Sequence, residues 1–247
     1  MRNLSLLLSY LGSSFVGWQK TSSGMSIEEA LETALARILR ETPKLQAASR
    51  TDAGVHAEGQ LVNFLTEKQI ELSLLKRALN GTLPKEISVL AIEERPLDFH
   101  PTLDCIKKEY RYLICHGGVQ LPFHRYLCWH YPYPLAIEAM KKGAASLLGT
   151  HDYSAFCNER ASYERSPICH LEEISFSSSS TQLCVCIIGD RFLYKMVRNI
   201  IGTLVYVGCG KMRAEDVPSI LQSGQRVRAG ITAPAHGLSL YKVYYKS

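Results

Sequence analysis

Between positions 50 and 56 the chain reads Arg50-Thr51-Asp52-Ala53-Gly54-Val55-His56, which crowds a guanidinium, a carboxylate and an imidazole into one short segment. A carboxylate in such a place can act as a nucleophile, as a stabiliser of developing positive charge, or in proton transfer. Two further places could carry chemistry. Arg198 and Asn199 interrupt an apolar stretch, and a guanidinium taken out of water needs a carboxylate or other acceptors, so Arg198 requires a partner. Lys107-Lys108-Glu109-Tyr110-Arg111-Tyr112 interleaves cations and aromatics as surfaces that grip phosphates and stack bases do. Each place has a plainer reading. Asp52 and Gly54 suit an ordinary turn, any of 23 acids could pair Arg198, and aromatics favour strands whatever their task. Residue types alone do not separate these readings.

The elements that must position these groups follow from periodicity. Residues 3 to 10 read as a buried strand, and Ser26 with Glu29 makes a capping box opening a helix that carries Ile27, Leu31, Ala34, Leu35 and Ile38 on one face. Leu45 to Ser49 and Gly59 to Leu65 read as strands on either side of the Asp52 segment. A helix over about 71 to 79, ended by Asn80-Gly81, and a strand from Ile87 to Ile92 complete the first half. Glu109 to Cys115 is the next strand, with Tyr110, Tyr112 and Ile114 on one face. A helix from Pro134 to Leu148, strands at 171 to 177 and 183 to 189, helices near 193 to 208 and 214 to 222, and a strand from Leu238 to Tyr245 follow. In the helix near 193 to 208, Met196, Ile200, Thr203, Leu204 and Val207 line one face and Tyr194, Ile201 and Val205 the other, so it is predicted to be buried with Arg198 in its middle. The fold class expected is α+β, in two similar halves, 1–104 carrying the Asp52 loop and 105–247.

Composition bounds the rest. The 247 residues, 46% hydrophobic and 21% charged, suit a globular protein, and no solenoid, heptad or collagen period is present. The net charge of +5 permits a polyanionic partner without requiring one. The eight cysteines form no CxxC pair, and the eight histidines show no ligand spacing, so no metal is expected. Free thiols in a reducing compartment are the default expectation, and no membrane segment or cleavable leader is expected. Neither a GxxxxGK[ST] nor a GxGxxG segment occurs, which disfavours the standard nucleotide folds.

Six blocks then point the same way. Ala48 to Ala57 closely resembles the catalytic segment of the tRNA pseudouridine synthase A family. Phe15-Val16-Gly17-Trp18-Gln19, Asp98-Phe99-His100 followed by Lys108-Glu109-Tyr110-Arg111-Tyr112, and Gly149 to Phe156 are similar to further family segments in the same order. Phe192 to Gly202 and Ala233 to Leu238 complete the series. The resemblance implies isomerisation of uridine to pseudouridine in the anticodon stem-loop of tRNA, with neither metal nor cofactor, by a cytoplasmic homodimer whose antiparallel sheets join across a central RNA-binding cleft. It implies that Asp52 is the catalytic aspartate and nucleophile, Tyr110 the active-site tyrosine, Arg198 the cation paired with the aspartate, and Arg50 an arginine that helps extrude the base. Phe99, His100, Lys107, Lys108 and Tyr110 are expected to contact substrate.

One departure stands out. Where the family usually has Ala-Arg after Phe-His, this chain has Pro101-Thr102, which removes a cation and implies either that phosphate gripping has moved, to Lys107 and Lys108, or that substrate choice is altered. Two other classes fit the residues without the resemblance: a non-catalytic RNA-binding module that stacks bases on Tyr110 and Tyr112, and a hydrolase using Asp52 and His56 as an acid–base pair. Loss of turnover in Asp52→Asn rejects the first, and mass-silent isomerisation of tRNA rejects the second.

Overall fold

Leu4, Leu6 and Leu8 recur at the strand period and have no exposed surface, which seats β1 (Arg2–Tyr10) in the middle of a sheet. In this computed structural model, residues 1–158, 166–179 and 181–246 are described, and they form two compact units. The first is Met1–Ile106 with Ser239–Ser247, and the second is Lys107–Leu238.

In the first unit β1 runs antiparallel to both β3 (His56–Thr66) and β4 (Ile87–Arg95). The short β2 (Gln46–Ala47) adds to β3 at Asn63 and Val62, and β10 (Leu238–Tyr245) lies parallel to the start of β3, Ser239 opposite His56. Helix α1 (Ile27–Leu39) starts where the capping signal puts it, with the Ser26 hydroxyl accepting from the Glu29 N–H at 3.1 Å. Its buried face is Ile27, Ala30, Leu31, Ala34, Leu35 and Leu39. Helix α2 (Leu72–Thr82) continues through Asn80 and Gly81, which read in sequence as its stop. The Asn80 side chain is occupied elsewhere: its amide donates to the Val89 carbonyl at 3.0 Å and its oxygen accepts from the Val89 N–H at 2.8 Å.

In the second unit β5 (Cys105–His116), β9 (Gln182–Gly189), β8 (Ile168–Ser178) and β7 (Gly149–Asp152) form an antiparallel sheet in that order, and β6 (Trp129–Tyr131) runs parallel to the end of β5. Helix α3 (Ile137–Ala145) opens three residues after Pro134, and the N–H of its N-cap Ala136 donates to the Gly208 carbonyl at 2.8 Å. It packs on α4 (Met196–Gly208), and α5 (Val217–Ser223) completes the helical layer. The expected α+β class, with antiparallel sheets and helices packed on them, is what the chain adopts. The last strand was grouped in sequence with 105–247; its pairing to β3 clusters it with the first unit.

The thiol expectation needs correction. Cys115 and Cys128 form a disulfide, their Cα atoms 6.0 Å apart. A separation of 13 residues carries no spacing signal, and only the return of the chain beside β5 at β6 brings the two together. Cysteine usage therefore gives no argument for a reducing compartment. Among the described residues no helix is long and apolar enough to cross a membrane.

Tyr10 ends β1 with its ring in the core, 2% exposed, and burial pushes its hydroxyl up to about 12. Burial also raises Tyr112, Tyr153 and Tyr245 above the ordinary tyrosine range. The folded chain thus holds these protons at a pH where the unfolded chain, ionising near pH 10, has released them. The stabilisation is full below about pH 10 and is lost as the pH rises toward 12, at about 1.4 kcal/mol per pH unit for each such group. Urea unfolding at stepped alkaline pH is expected to show that decline, and Tyr10→Phe to make it shallower by about one proton's worth.

Candidate active site

The Asp52 loop is held by its neighbours on all sides. Upstream, the Ala48 N–H donates to the Leu61 carbonyl at 2.8 Å. The side-chain amide of Gln60, fully buried, clamps Ser49: it donates to the Ser49 carbonyl at 2.6 Å and accepts from the Ser49 N–H at 3.2 Å. Thr51 is gripped twice, its carbonyl accepting from the Trp18 N–H at 2.9 Å and its hydroxyl bonded to the Tyr10 hydroxyl at 2.8 Å. Downstream, the Val55 N–H closes a turn onto the Asp52 carbonyl at 3.1 Å, and Gly54 takes the positive φ, +79°, that this turn was expected to need.

Two of the resemblance blocks meet at this loop. Gly17 of the Phe15-to-Gln19 block has φ +108°, and a Cβ there would lie 2.8 Å from the Thr51 carbonyl oxygen and 3.0 Å from the Ala53 nitrogen, so only glycine lets the two segments approach. At the other end the Gly12 N–H donates to Nδ1 of His56, at 3.0 Å, which fixes the neutral Nε2–H tautomer of a ring that is 5% exposed. His56 is therefore a support of the loop. The Asp52 side chain is half-buried and that of Arg50 is exposed.

Phe99 and His100 belong to a turn tied down from within the first unit. The Phe99 carbonyl accepts from the side-chain amides of Asn3 at 3.0 Å and Asn63 at 3.1 Å, and the Phe99 ring lies 5.4 Å from that of Tyr245. Nδ1 of His100 accepts from the Thr102 N–H at 3.1 Å. The Pro101-Thr102 departure is built into this turn: the Thr102 hydroxyl donates to the Ala47 carbonyl at 2.7 Å, and the Tyr245 hydroxyl to that of Pro101 at 2.8 Å.

The remaining expected site residues lie in the second unit. Tyr110 is 6% exposed on β5, its ring edge-on to Phe192 with centroids 5.0 Å apart. Lys107 is paired with Glu172 at 2.8 Å and Lys108 is 8% exposed, so neither is a freely presented cation. Arg198 is joined to the Ala233 segment at two points: its Nε donates to the Ala233 carbonyl at 2.8 Å, and the Ala233 N–H donates to its own carbonyl at 3.1 Å. Its charge reaches neighbouring groups. Burial, with a smaller push from Arg198, lowers His236, and Arg198 partly offsets the burial that raises Tyr112. Asn199, with no exposed surface, donates to the Phe156 carbonyl at 2.6 Å and to Oδ1 of Asn158 at 2.7 Å, and accepts from Arg226 at 2.9 Å and Thr232 at 2.7 Å. Three resemblance blocks, 149–156, 192–202 and 233–238, are thereby knit around α4.

Sequence reasoning missed Tyr10, Gln60 and Arg226. Tyr10 and Gln60 sit inside runs that read as strand, and only burial of their polar atoms reveals their task. Among the described residues no group of three or more His, Cys, Asp or Glu could hold a metal ion.

Comparison with known proteins agrees with the resemblance over the whole chain. The family model described as tRNA pseudouridine synthase matches residues 7–104 and 144–246. The chain is 49% identical to tRNA pseudouridine synthase A 2 of Protochlamydia amoebophila, over 99% of this chain and 95% of that one. It is 40% identical to tRNA pseudouridine synthase A of a Thermoanaerobacter species, over 99% of this chain and all of that one, and 38% identical to the protein of that name in Geotalea daltonii, with the same coverage. With the motif blocks, the family model and these full-length relatives in agreement, the chain belongs to the tRNA pseudouridine synthase family.

Proposed function

We propose that this enzyme, which as a member of its family isomerises uridine to pseudouridine in tRNA, acts on the anticodon stem-loop and uses Asp52 as its nucleophile. The observation that carries the reading is the Asp52 loop: its backbone and the side chains on either side are committed to fixed partners, which confines the carboxylate to a narrow range of positions. Such confinement is what a nucleophile needs, since reacting atoms must be held close to the geometry of attack.

The reaction breaks the C–N glycosidic bond and rejoins the ring to the sugar through carbon, conserving the atoms of the substrate. It needs a nucleophile and proton transfer. In this reading Asp52 supplies the nucleophile, Tyr110 stacks under the ring and, ionised beside a cation, takes the C5 proton while the ring nitrogen released from the sugar gains one, and Arg198 balances the carboxylate's charge in the reacting complex. Extruding a base from a stem costs a few kcal/mol, which Arg50, exposed on the loop, offsets by filling the gap. Phe99 and His100 contact substrate from their braced turn. Lys107 and Lys108 serve as phosphate contacts, Lys107 by exchanging Glu172 for a phosphate. The enzyme works in the cytoplasm as a homodimer.

Asp52→Asn is nearly isosteric and removes the charge and the nucleophilic oxygen. Tritium release from C5-labelled uridine in tRNA is expected to fall by about a thousandfold or more, with melting temperature and tRNA affinity retained. Near-normal release would reject the nucleophile, and retained isomerisation mapped outside the anticodon arm would reject the substrate position.

Arg198→Met replaces the guanidinium by a side chain that packs in an apolar helix. Turnover is expected to drop by about a hundredfold or more, against a stability loss of about 1 kcal/mol from the lost bond to Ala233. Equal modification rates in the two proteins would reject the role given to Arg198.

Two chains would present twice the +5 charge to one polyanion. Light scattering is expected to give the mass of a dimer, and tRNA affinity to fall steeply with salt as phosphate contacts lose the release of counterions. A monomer at working concentration, or salt-insensitive binding, would count against this assembly.

A further inference from the structure

We infer that the buried hydroxyl of Tyr10, acting through Thr51, sets the orientation of Asp52 and makes Tyr10 a positioning residue for isomerisation. The inference rests on the reading of Asp52 as nucleophile.

Thr51 precedes Asp52, and it is held through both its backbone and its side chain. Its carbonyl takes the Trp18 N–H at 2.9 Å, which fixes the peptide plane entering Asp52, and the Val55 N–H on the Asp52 carbonyl, at 3.1 Å, fixes the plane leaving it. The Asp52 backbone is thus suspended between two anchored planes. The side chain of Thr51 is β-branched and has few χ1 positions, and the Tyr10 hydroxyl at 2.8 Å selects one of them. A change of that rotamer would rotate Thr51 and tilt the first plane.

Tyr10 is well placed to impose the choice. It lies at the end of an interior strand, between β3 and β4, where the register with β3 shifts between Leu8 and Tyr10. Such irregularities re-aim a side chain, and this one leaves the phenol ring in the core with its oxygen at the loop. Gln60 closes the device: its side-chain nitrogen, besides clamping Ser49, lies 3.5 Å from the Tyr10 oxygen. An amide nitrogen only donates, so the Tyr10 oxygen accepts there, while in the bond between the two hydroxyls either oxygen can donate. Burial holds the Tyr10 proton up to about pH 12, so the phenol stays neutral at any working pH. Tyr10, Thr51 and Gln60 are 2%, 7% and 0% exposed. The bond is shielded from water, which would otherwise compete for the Thr51 hydroxyl.

The test compares Tyr10→Phe, Thr51→Val, Thr51→Ser and the double variant Tyr10→Phe with Thr51→Val, each assayed for tritium release at saturating and limiting tRNA and melted alongside wild type. Tyr10→Phe and Thr51→Val are each expected to lower kcat about tenfold or more with KM within about twofold, since a displaced nucleophile loses rate without losing binding. Thr51→Ser, which keeps the hydroxyl, is expected to restore kcat to within about threefold. The double variant is expected to be no slower than the worse single one, because both remove the same bond. A uniform loss that follows the melting temperature, a KM effect without a kcat effect, additive losses, or failure of Thr51→Ser to rescue would overturn the inference. If Tyr10→Phe does not fold, the contrast between Thr51→Val and Thr51→Ser decides alone. Asp52→Asn in the same assay keeps the two readings apart: wild-type kcat in the Tyr10 and Thr51 variants beside an inactive Asp52→Asn rejects positioning only, whereas an active Asp52→Asn rejects the nucleophile and with it this inference.

Discussion

The loop that carries Asp52 takes its position from the strands that flank it, and that dependence organises the first unit. The turn at Asp52 is secured through its backbone, through the Gln60 clamp on Ser49 and through the Tyr10–Thr51 bond, and His56 holds its far end by accepting from Gly12. Each anchor reaches out from a strand or its edge: Tyr10 closes β1, while Gln60 and His56 lie on β3. Paired strands are stiff, so the loop inherits their rigidity. The sheet is thus the reference frame for one residue, and its apolar core of Leu4, Leu6, Leu8, Val62 and Phe64 is what keeps the frame in place.

The second unit solves the related problem of keeping a cation inside an apolar helix. Arg198 is half-buried on α4 and tied to Ala233, and the polar residue beside it, Asn199, has both ends of its amide satisfied by four partners from three segments. Arg226 shares that network, spending itself on neutral acceptors among the described residues: Asn158, Asn199, Gly230 and Thr232. Burial accordingly lowers it from the usual arginine value. Buried polar groups cost stability unless every one is paired, so this cluster acts as a unit and its residues cannot vary one at a time.

Local signals were readable wherever one residue's neighbours in sequence are also its partners in space. The α1 cap, the burial of α4 and the last strand at Leu238 to Tyr245 are of that kind, and so is the positive φ of Gly54. What sequence hides is long-range. β2 is confined to Gln46–Ala47 because beyond Ala48 the Gln60 side chain, in place of a backbone ladder, takes the bonds of Ser49, Asn80 serves Val89 nine residues away, and Cys115 finds Cys128 only after the chain returns beside β5. The Asp52 segment was recognisable from its residue types and its family likeness. Its supports were not, since Tyr10 and Gln60 look like ordinary strand residues until the distance to Thr51 or Ser49 is known.

The Pro101-Thr102 pair shows how a departure from a motif can be absorbed by local structure. Arginine at 102 would extend a cation from an exposed turn. Threonine instead turns its hydroxyl back onto Ala47, in the short strand that leads into the Asp52 loop, and Pro101 offers its carbonyl to Tyr245 on β10. Phe99 is fixed beside them by Asn3, Asn63 and the Tyr245 ring. The turn therefore gives up reach and gains attachment. An exposed charge contributes little to stability, while a hydrogen bond that joins a turn to a strand contributes about 1 kcal/mol. In this chain the segment after Phe-His braces the approach to the Asp52 loop.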